Sequence, residues 1–233
     1  MARTIAALVR HSEYHQLKDT PSAHQPFALT EQGRVTARNE AQAFVDLVND
    51  SGYEVSDRID CSNMLRAWQT AEIFSDVLAR HAGTSAAIDS YDALAERGVG
   101  CMAKLTIQQN EHISQQYPRC QDMPSDLKTK IQYCLPYQGA ESLMQAGQRV
   151  AEHLRQQMHN LQQSVSVDTV KLFIGHGAAF RHAAHMLDVL VFEQLAKLSM
   201  FHARPVLIEY CADGNWQHIA GDWKQRDSKN GLD

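Results

Sequence analysis

The sequence predicts an α/β fold: a three-layer sandwich with a mostly parallel central sheet, helices on both faces, and an insertion over the candidate site. Three observations carry this prediction. Short apolar runs alternate with amphipathic stretches of helical period, in the order strand, helix, strand, helix, insertion, helix, strand, helix. Three of the strand ends, at 10–11, 62–66 and 175–177, run into Arg, His or Ser beside a turn. The length, 233 residues with 44% hydrophobic side chains, suits one domain (1–233) with a sizeable core.

The first run, Thr4 to Val9 (TIAALV), is apolar throughout and reads as a buried strand that stops at Arg10-His11-Ser12-Glu13. The polar stretch to Ala28, with Pro21 and Pro26, reads as a loop. Thr30 is placed as an N-cap, with Glu31 in the first turn where the helix dipole favours an acid. Ala37, Ala41, Phe44, Val45 and Val48 then follow at helical spacing, and Gly52 ends the element. Arg58 to Cys61 predicts a short strand, and Ser62-Asn63 a cap for a helix whose face carries Ala67, Ala71, Phe74 and Leu78. A short strand is expected near Ala86 to Ile88.

Residues 98–138 hold Pro118, Pro124 and Pro136 with little periodicity, which predicts an insertion or lid with short helices. Order returns with Leu143, Gly147, Val150, Leu154, Met158 and Leu161 on one long amphipathic face. Thr169 to Ile174 (TVKLFI) predicts a buried strand ending at Gly175-His176-Gly177, with a helix from about 178 to 190. Val206–Tyr210 and Trp216–Ala220 flank Asp213-Gly214, a hairpin signal, and the tail after Trp223 reads as polar and frayed.

Composition narrows the function. The formal net charge of -5 excludes a general nucleic-acid binder, which would show a basic surplus. An acidic chain that binds an anion must gather its positive charge locally. The five cysteines form no CxxC pair, and their odd number points to the reduced thiols of a cytosolic protein. No apolar run approaches the roughly 20 residues of a membrane span, and the N-terminus shows no signal-peptide core. The expectation is a soluble, cytoplasmic protein with no membrane or nucleic-acid partner.

In sheets of this kind ligands bind outside the carboxyl ends of the strands. The side chains there suit phosphoryl transfer, which depends on positioning and on charge stabilisation. Arg10 and Arg66 offer planar forks that match phosphate oxygens. A histidine nucleophile must present a neutral ring nitrogen: nearby arginines favour that form, and a backbone carbonyl could hold the proton of the other ring nitrogen. His176 could donate to a phosphate oxygen. Gly177 permits close backbone approach at a helix N-terminus. Glu96, in Leu94-Ala95-Glu96-Arg97-Gly98, is the candidate acid for the leaving alcohol and base for the attacking water, ahead of Asp92 and Glu13.

Five segments carry a resemblance. LVRHSEY (8–14), LTEQG (29–33), CSNMLRAWQTAEI (61–73), GAESLMQAGQRV (139–150) and FIGHGAAFR (173–181) occur in order. The chain resembles the histidine phosphatase superfamily, which includes the cofactor-dependent phosphoglycerate mutases. The resemblance implies a phosphohistidine at His11 and a phosphate pocket of Arg10, Arg66 and His176. It implies Glu96 as proton donor and no metal or organic cofactor. The substrate would be a small phosphomonoester or a phosphorylated side chain.

Departures favour a phosphatase over a mutase. Ser12 stands where the family has Gly, and Leu17 lies where mutases carry an Asn. Glu96 is followed by Arg97-Gly98-Val99-Gly100 rather than a Tyr-rich segment, and Arg119 alone lies where mutases pair two arginines. The alternatives are a mutase-like phosphoryl transferase and a catalytically weak, phosphate-binding regulatory module. Among the 12 histidines, His182 and His185 share a helix face, but HAAH lacks the glutamate and spacing of HExxH, so no metal site is predicted. Trp68 reads as a packing residue.

Overall fold

A computed structural model describes residues 2–20, 23–83, 85–120 and 131–226. Pro21, Pro124 and residues 227–233 of the tail lie outside the described residues. The chain opens with β1 (Thr4–Arg10), α1 (Glu31–Ser51), β2 (Glu54–Val55), β3 (Arg58–Ser62), α2 (Leu65–His81) and β4 (Ala87–Tyr91). It continues through α3 (Ile107–Gln116), α4 (Leu143–Ser164), β5 (Thr169–Gly175), α5 (Gly177–Met186) and α6 (Phe192–Leu195). It closes with β6 (Leu198–Ser199), β7 (Pro205–Tyr210), β8 (Trp216–Ala220) and β9 (Lys224–Gln225).

The main sheet has the order β4-β3-β5-β1-β7-β8, with β2 paired to the start of β5. β4, β3, β5 and β1 are mutually parallel, and β7 and β8 add an antiparallel edge. The sheet is therefore mostly parallel, as predicted. Side chains of β1 alternate between its faces. Ile5, Ala7 and Val9 join one core with Phe44 of α1 and Phe74 of α2. Ala6 and Leu8 join the other with Leu154 and Met158 of α4 and Phe180 of α5. Burial on both faces is why TIAALV has no polar alternation. Truncating Leu154 or Met158 to Ala in such a core costs roughly 2–5 kcal/mol.

Thr30 caps α1 by accepting from Gly33 N at 2.9 Å, and Gly52 (φ 69°) ends the helix in the left-handed region. α4 opens on a capping box between Ser142 and Gln145. Lys171, in the middle of β5, is buried and meets Asp60 of β3 at 2.7 Å, while His153 of α4 reaches the other oxygen of Asp60 at 2.8 Å. The apolar pattern of TVKLFI therefore tolerates a lysine because a buried carboxylate faces it.

Four expectations need correction. Ser62-Asn63 does not cap α2: the N-cap is Met64, with no side-chain bond, because Ser62 ends β3 and turns its hydroxyl to His176. α5 stops at Met186 rather than near 190, since Asp188 takes φ 58° and the amides of Val189 and Leu190 turn back to Ala184 O. The tail after Trp223 is not all frayed, because β9 pairs with β6. The strand expected near 86–88 runs from Ala87 to Tyr91. Within 98–138 the described residues form α3 and two 3-10 turns, Gly100–Met102 and Pro118–Cys120. α3 buries none of its residues, which is why it left no amphipathic signal.

Candidate active site

Because β1, β3, β4 and β5 are parallel, their carboxyl ends meet at one edge. Arg10 is in register with Gly175, and the next amide, His11 N, donates to Gly175 O at 2.9 Å. Ser62 ends β3 one strand away, and the turn after β4 carries Glu96. The three strand-end clusters predicted from sequence thus converge.

His11 is buried, and its Nδ1–H donates to Ser12 O at 2.7 Å. That fixes the tautomer and leaves the Nε2 lone pair free for attack. Burial pulls its pKa well below the ordinary histidine value, and the charges of Arg66 and Arg10 pull it further, so the ring is neutral at neutral pH. The His176 ring lies 5.0 Å away between centroids, and Tyr14 stands edge-on at 5.3 Å.

His176 has the opposite tautomer. Arg66 Nη2 donates to its Nδ1 at 3.1 Å, so Nε2 carries the proton and donates to Ser62 Oγ at 2.9 Å. Burial first, then the Arg66 charge, holds His176 neutral. An Nε2–H of this kind is a donor that a phosphate oxygen can use.

Arg66 is fully buried. Its Nη1 donates to Gln25 O at 3.1 Å and its Nη2 to Ala23 O at 2.7 Å. The guanidinium lies 4.3 Å above the Tyr14 ring. Its Nε has no hydrogen-bond partner among the described residues. A buried guanidinium whose Nε–H is unpartnered, and which makes no ion pair with a carboxylate among the described residues, fits an anion. Arg10 is anchored at both ends by the 200–203 strap: Nη1 donates to Met200 O at 3.0 Å, and Arg10 O accepts from Ala203 N at 2.8 Å. A Cβ on Gly177 would come within 3.0 Å of Arg10 Cδ, so the glycine makes room for the arginine stem.

Ser12, the departure from the family pattern, turns away from this space. Its Oγ donates to Gly33 O at 2.7 Å, and its backbone N–H donates to Thr70 Oγ1 at 3.1 Å. The extra side chain therefore ties the loop after His11 to the first turn of α1. Glu96 is half-buried, and its Oε1 accepts from Arg97 N at 2.8 Å. Its charge acts on Tyr14 and Arg66. The other acid candidates, Asp92 and Glu13, are exposed, and Asp92 is hydrogen-bonded by Asn63. Leu17 and Arg119 are exposed. Trp68 packs on the α1–α2 core.

His182 and His185 point their Nδ1 atoms at the carbonyls of Ala178 and Leu190. Among the described residues no three His, Cys, Asp or Glu side chains cluster in a way that could hold a metal ion. The five cysteines are free thiols. Among the described residues no helix is long and apolar enough to cross a membrane.

Sequence reasoning missed Tyr14 and His202, whose ring stacks 6.1 Å from that of His11. Tyr14 sits inside the LVRHSEY motif, three residues past His11, which is a usable signal. His202 has none, since only the fold brings it back to β1.

A neutral, tautomer-locked histidine beside two arginines, at the carboxyl edge of a parallel sheet, marks an α/β enzyme of phosphoryl transfer. The family model of the histidine phosphatase superfamily (branch 1) matches residues 6–220, and the chain belongs to that superfamily. Solved structures agree in fold. A mycobacterial glucosyl-3-phosphoglycerate phosphatase has a TM-score of 0.68 at 16% identity, over 93% of this chain and 96% of its own. A phosphoglycerate mutase from Bacillus anthracis has a TM-score of 0.69 at 18% identity, over 94% and 93%. A protein described as mycobacterial hydrolase 2 has a TM-score of 0.70 at 16% identity, over 98% and 94%. No curated protein matches the sequence.

Proposed function

We propose that the protein is a phosphatase that hydrolyses a phosphate monoester through a phosphohistidine on His11. The observation that carries this reading is the His11 ring itself, neutral and held through Nδ1 so that Nε2 is the free nucleophile. The Nε2 lone pair forms the N–P bond as the ester P–O bond breaks. The leaving alkoxide takes the proton of Glu96. Water then attacks phosphorus, giving its proton to the Glu96 carboxylate, and the N–P bond breaks to release phosphate and restore His11. Arg10, Arg66, His176 and Gly177 bind the phosphoryl oxygens and stabilise the charge that spreads over them.

The missing mutase residues support hydrolysis over transfer to a second hydroxyl. Residues 98–138 act as a lid in this reading, joined to the 12–28 loop through Ile107 N, which donates to Asp19 O at 2.9 Å. The substrate is a small phosphomonoester or a phosphorylated side chain, handled in the cytoplasm. The test is release of phosphate from p-nitrophenyl phosphate by wild type and by His11→Ala, with acid-labile phosphate trapped on wild type. Equal turnover by both proteins overturns the assignment. Isomerisation of phosphoglycerate faster than phosphate release would make the protein a mutase.

A further inference from the structure

We propose that Arg149, in the second turn of α4, and Glu141, just before its N-cap, are positioning residues that hold Glu96 at the rim of the site; this rests on the reading of Glu96 as proton donor. Glu96 lies on a turn between β4 and the 98–138 segment, outside any strand. Arg149 and Glu141 grip that turn on both sides of it. Arg149 Nη1 donates to the carbonyl oxygens of Asp92 (3.0 Å), Ala93 (2.9 Å) and Ala95 (3.2 Å), the residues just before Glu96. Arg149 Nε and Nη2 donate to the two oxygens of Glu141 at 3.0 and 2.8 Å. Glu141 Oε2 in turn accepts from Gly98 N at 3.0 Å, two residues past Glu96, and Glu141 N donates to Gly98 O at 2.7 Å.

The chemistry of the pair suits this job. A guanidinium presents five donors in a rigid plane, so one side chain can hold a carboxylate edge and several carbonyls together. Burial raises the Glu141 carboxyl, but the bonds from Arg149 and Gly98 outweigh it and keep the group ionised. The two side chains keep 25% and 29% exposure, so their mutual attraction is worth little as stability. What they supply is geometry: the carbonyls at 92, 93 and 95 are fixed from α4, and both backbone groups of Gly98 from the residue just before its cap. Gly98 packs close against this frame, since a Cβ there would come within 2.9 Å of Gly139 O. An acid displaced by a fraction of its hydrogen-bond length loses much of its effect on a poor leaving group.

The test compares two substrates whose leaving groups differ in their need for a proton. p-Nitrophenolate departs unprotonated, whereas the alkoxide of β-glycerophosphate needs an acid. Arg149→Met and Glu141→Gln are expected to lower kcat/KM for β-glycerophosphate on the order of tenfold more than for p-nitrophenyl phosphate. Glu96→Gln, run alongside, is expected to show the same selectivity more strongly. A loss of fold alone would lower both substrates equally. If Arg149→Met does not fold, by circular dichroism, Glu141→Gln decides. Equal losses, or none, in the folded clamp variants overturn the proposal while a selective Glu96→Gln leaves the acid in place. An unselective Glu96→Gln overturns the acid assignment and the clamp with it.

Discussion

The Nδ1–H of His11 donates to Ser12 O at 2.7 Å, and this bond sets which ring nitrogen keeps its lone pair. His176, 5.0 Å away, is set the other way by Arg66, which donates to its Nδ1. Two adjacent neutral imidazoles in opposite tautomers are distinguishable by long-range 1H–15N NMR. The expected spectrum assigns Nδ1–H to His11 and Nε2–H to His176 at pH 6, with neither ring doubly protonated. A histidine with an ordinary pKa would be mostly charged at that pH, so a doubly protonated His11 signal would remove the argument for a ready nucleophile.

Ser12 reaches the same loop from the other side. Its hydroxyl donates to Gly33 O at 2.7 Å in a fully buried position. Ser12→Ala removes that donor but keeps the carbonyl that holds His11. The expected result is a stability loss of about 1 kcal/mol by urea denaturation. Turnover of p-nitrophenyl phosphate is expected to stay within about threefold, since the interaction lost is not one made to the transition state. A larger loss of turnover at unchanged stability would mean that the hydroxyl itself serves the reaction.

Gly33 shows why a motif position can be glycine without a special φ. A Cβ there would lie 2.1 Å from Glu13 O, a backbone atom that cannot swing away. The first turn of α1 packs directly on the loop after His11, and Thr30 N donates to Glu13 O at 3.1 Å. Gly33→Ala is expected to cost more than the ordinary overpacking range of about 1–3 kcal/mol, because backbone must move against backbone. A variant that melts with wild type would show that α1 can shift freely on the loop after His11.

Much of this site was legible because a parallel sheet puts its ligand at strand ends, and strand ends are marked in sequence by polar residues after apolar runs. Arg10-His11, Ser62–Arg66 and Gly175–Gly177 were found that way. What was missed depends on side chains meeting across long stretches of chain. Arg149 lies 57 residues from Asp92, whose carbonyl it holds. His202 comes to His11 only because β7 lies beside β1. β6 and β9 span two residues each, too few for a period to register. Ser62 was misread as a cap because Ser before a helix is a strong cap signal, and here the neighbouring histidine takes the hydroxyl.

His182 gives the fold a defined weakness to acid. It is buried on α5 against α4, where a Cβ on Gly147 would come within 2.6 Å of its own Cβ. Its Nδ1–H donates to Ala178 O at 2.7 Å. Burial brings its pKa down from 6.5 to about 4. In the unfolded chain the ring binds a proton below about pH 6.5, and in the folded chain only near pH 4. Its stabilising contribution is therefore complete above pH 6.5 and is lost as pH falls from there towards 4. Such a difference corresponds to roughly 3 kcal/mol at the acid end. Urea denaturation from pH 7 to pH 4.5 should show wild type losing stability steeply. His182→Asn places an amide N–H where Nδ1 stood, in reach of Ala178 O, but does not titrate, so its slope should be shallower. His11 and His176, also held neutral by burial, leave a residual slope of the same sign. Parallel curves for the two proteins would place the acid weakness on His11 and His176 instead, at the site itself.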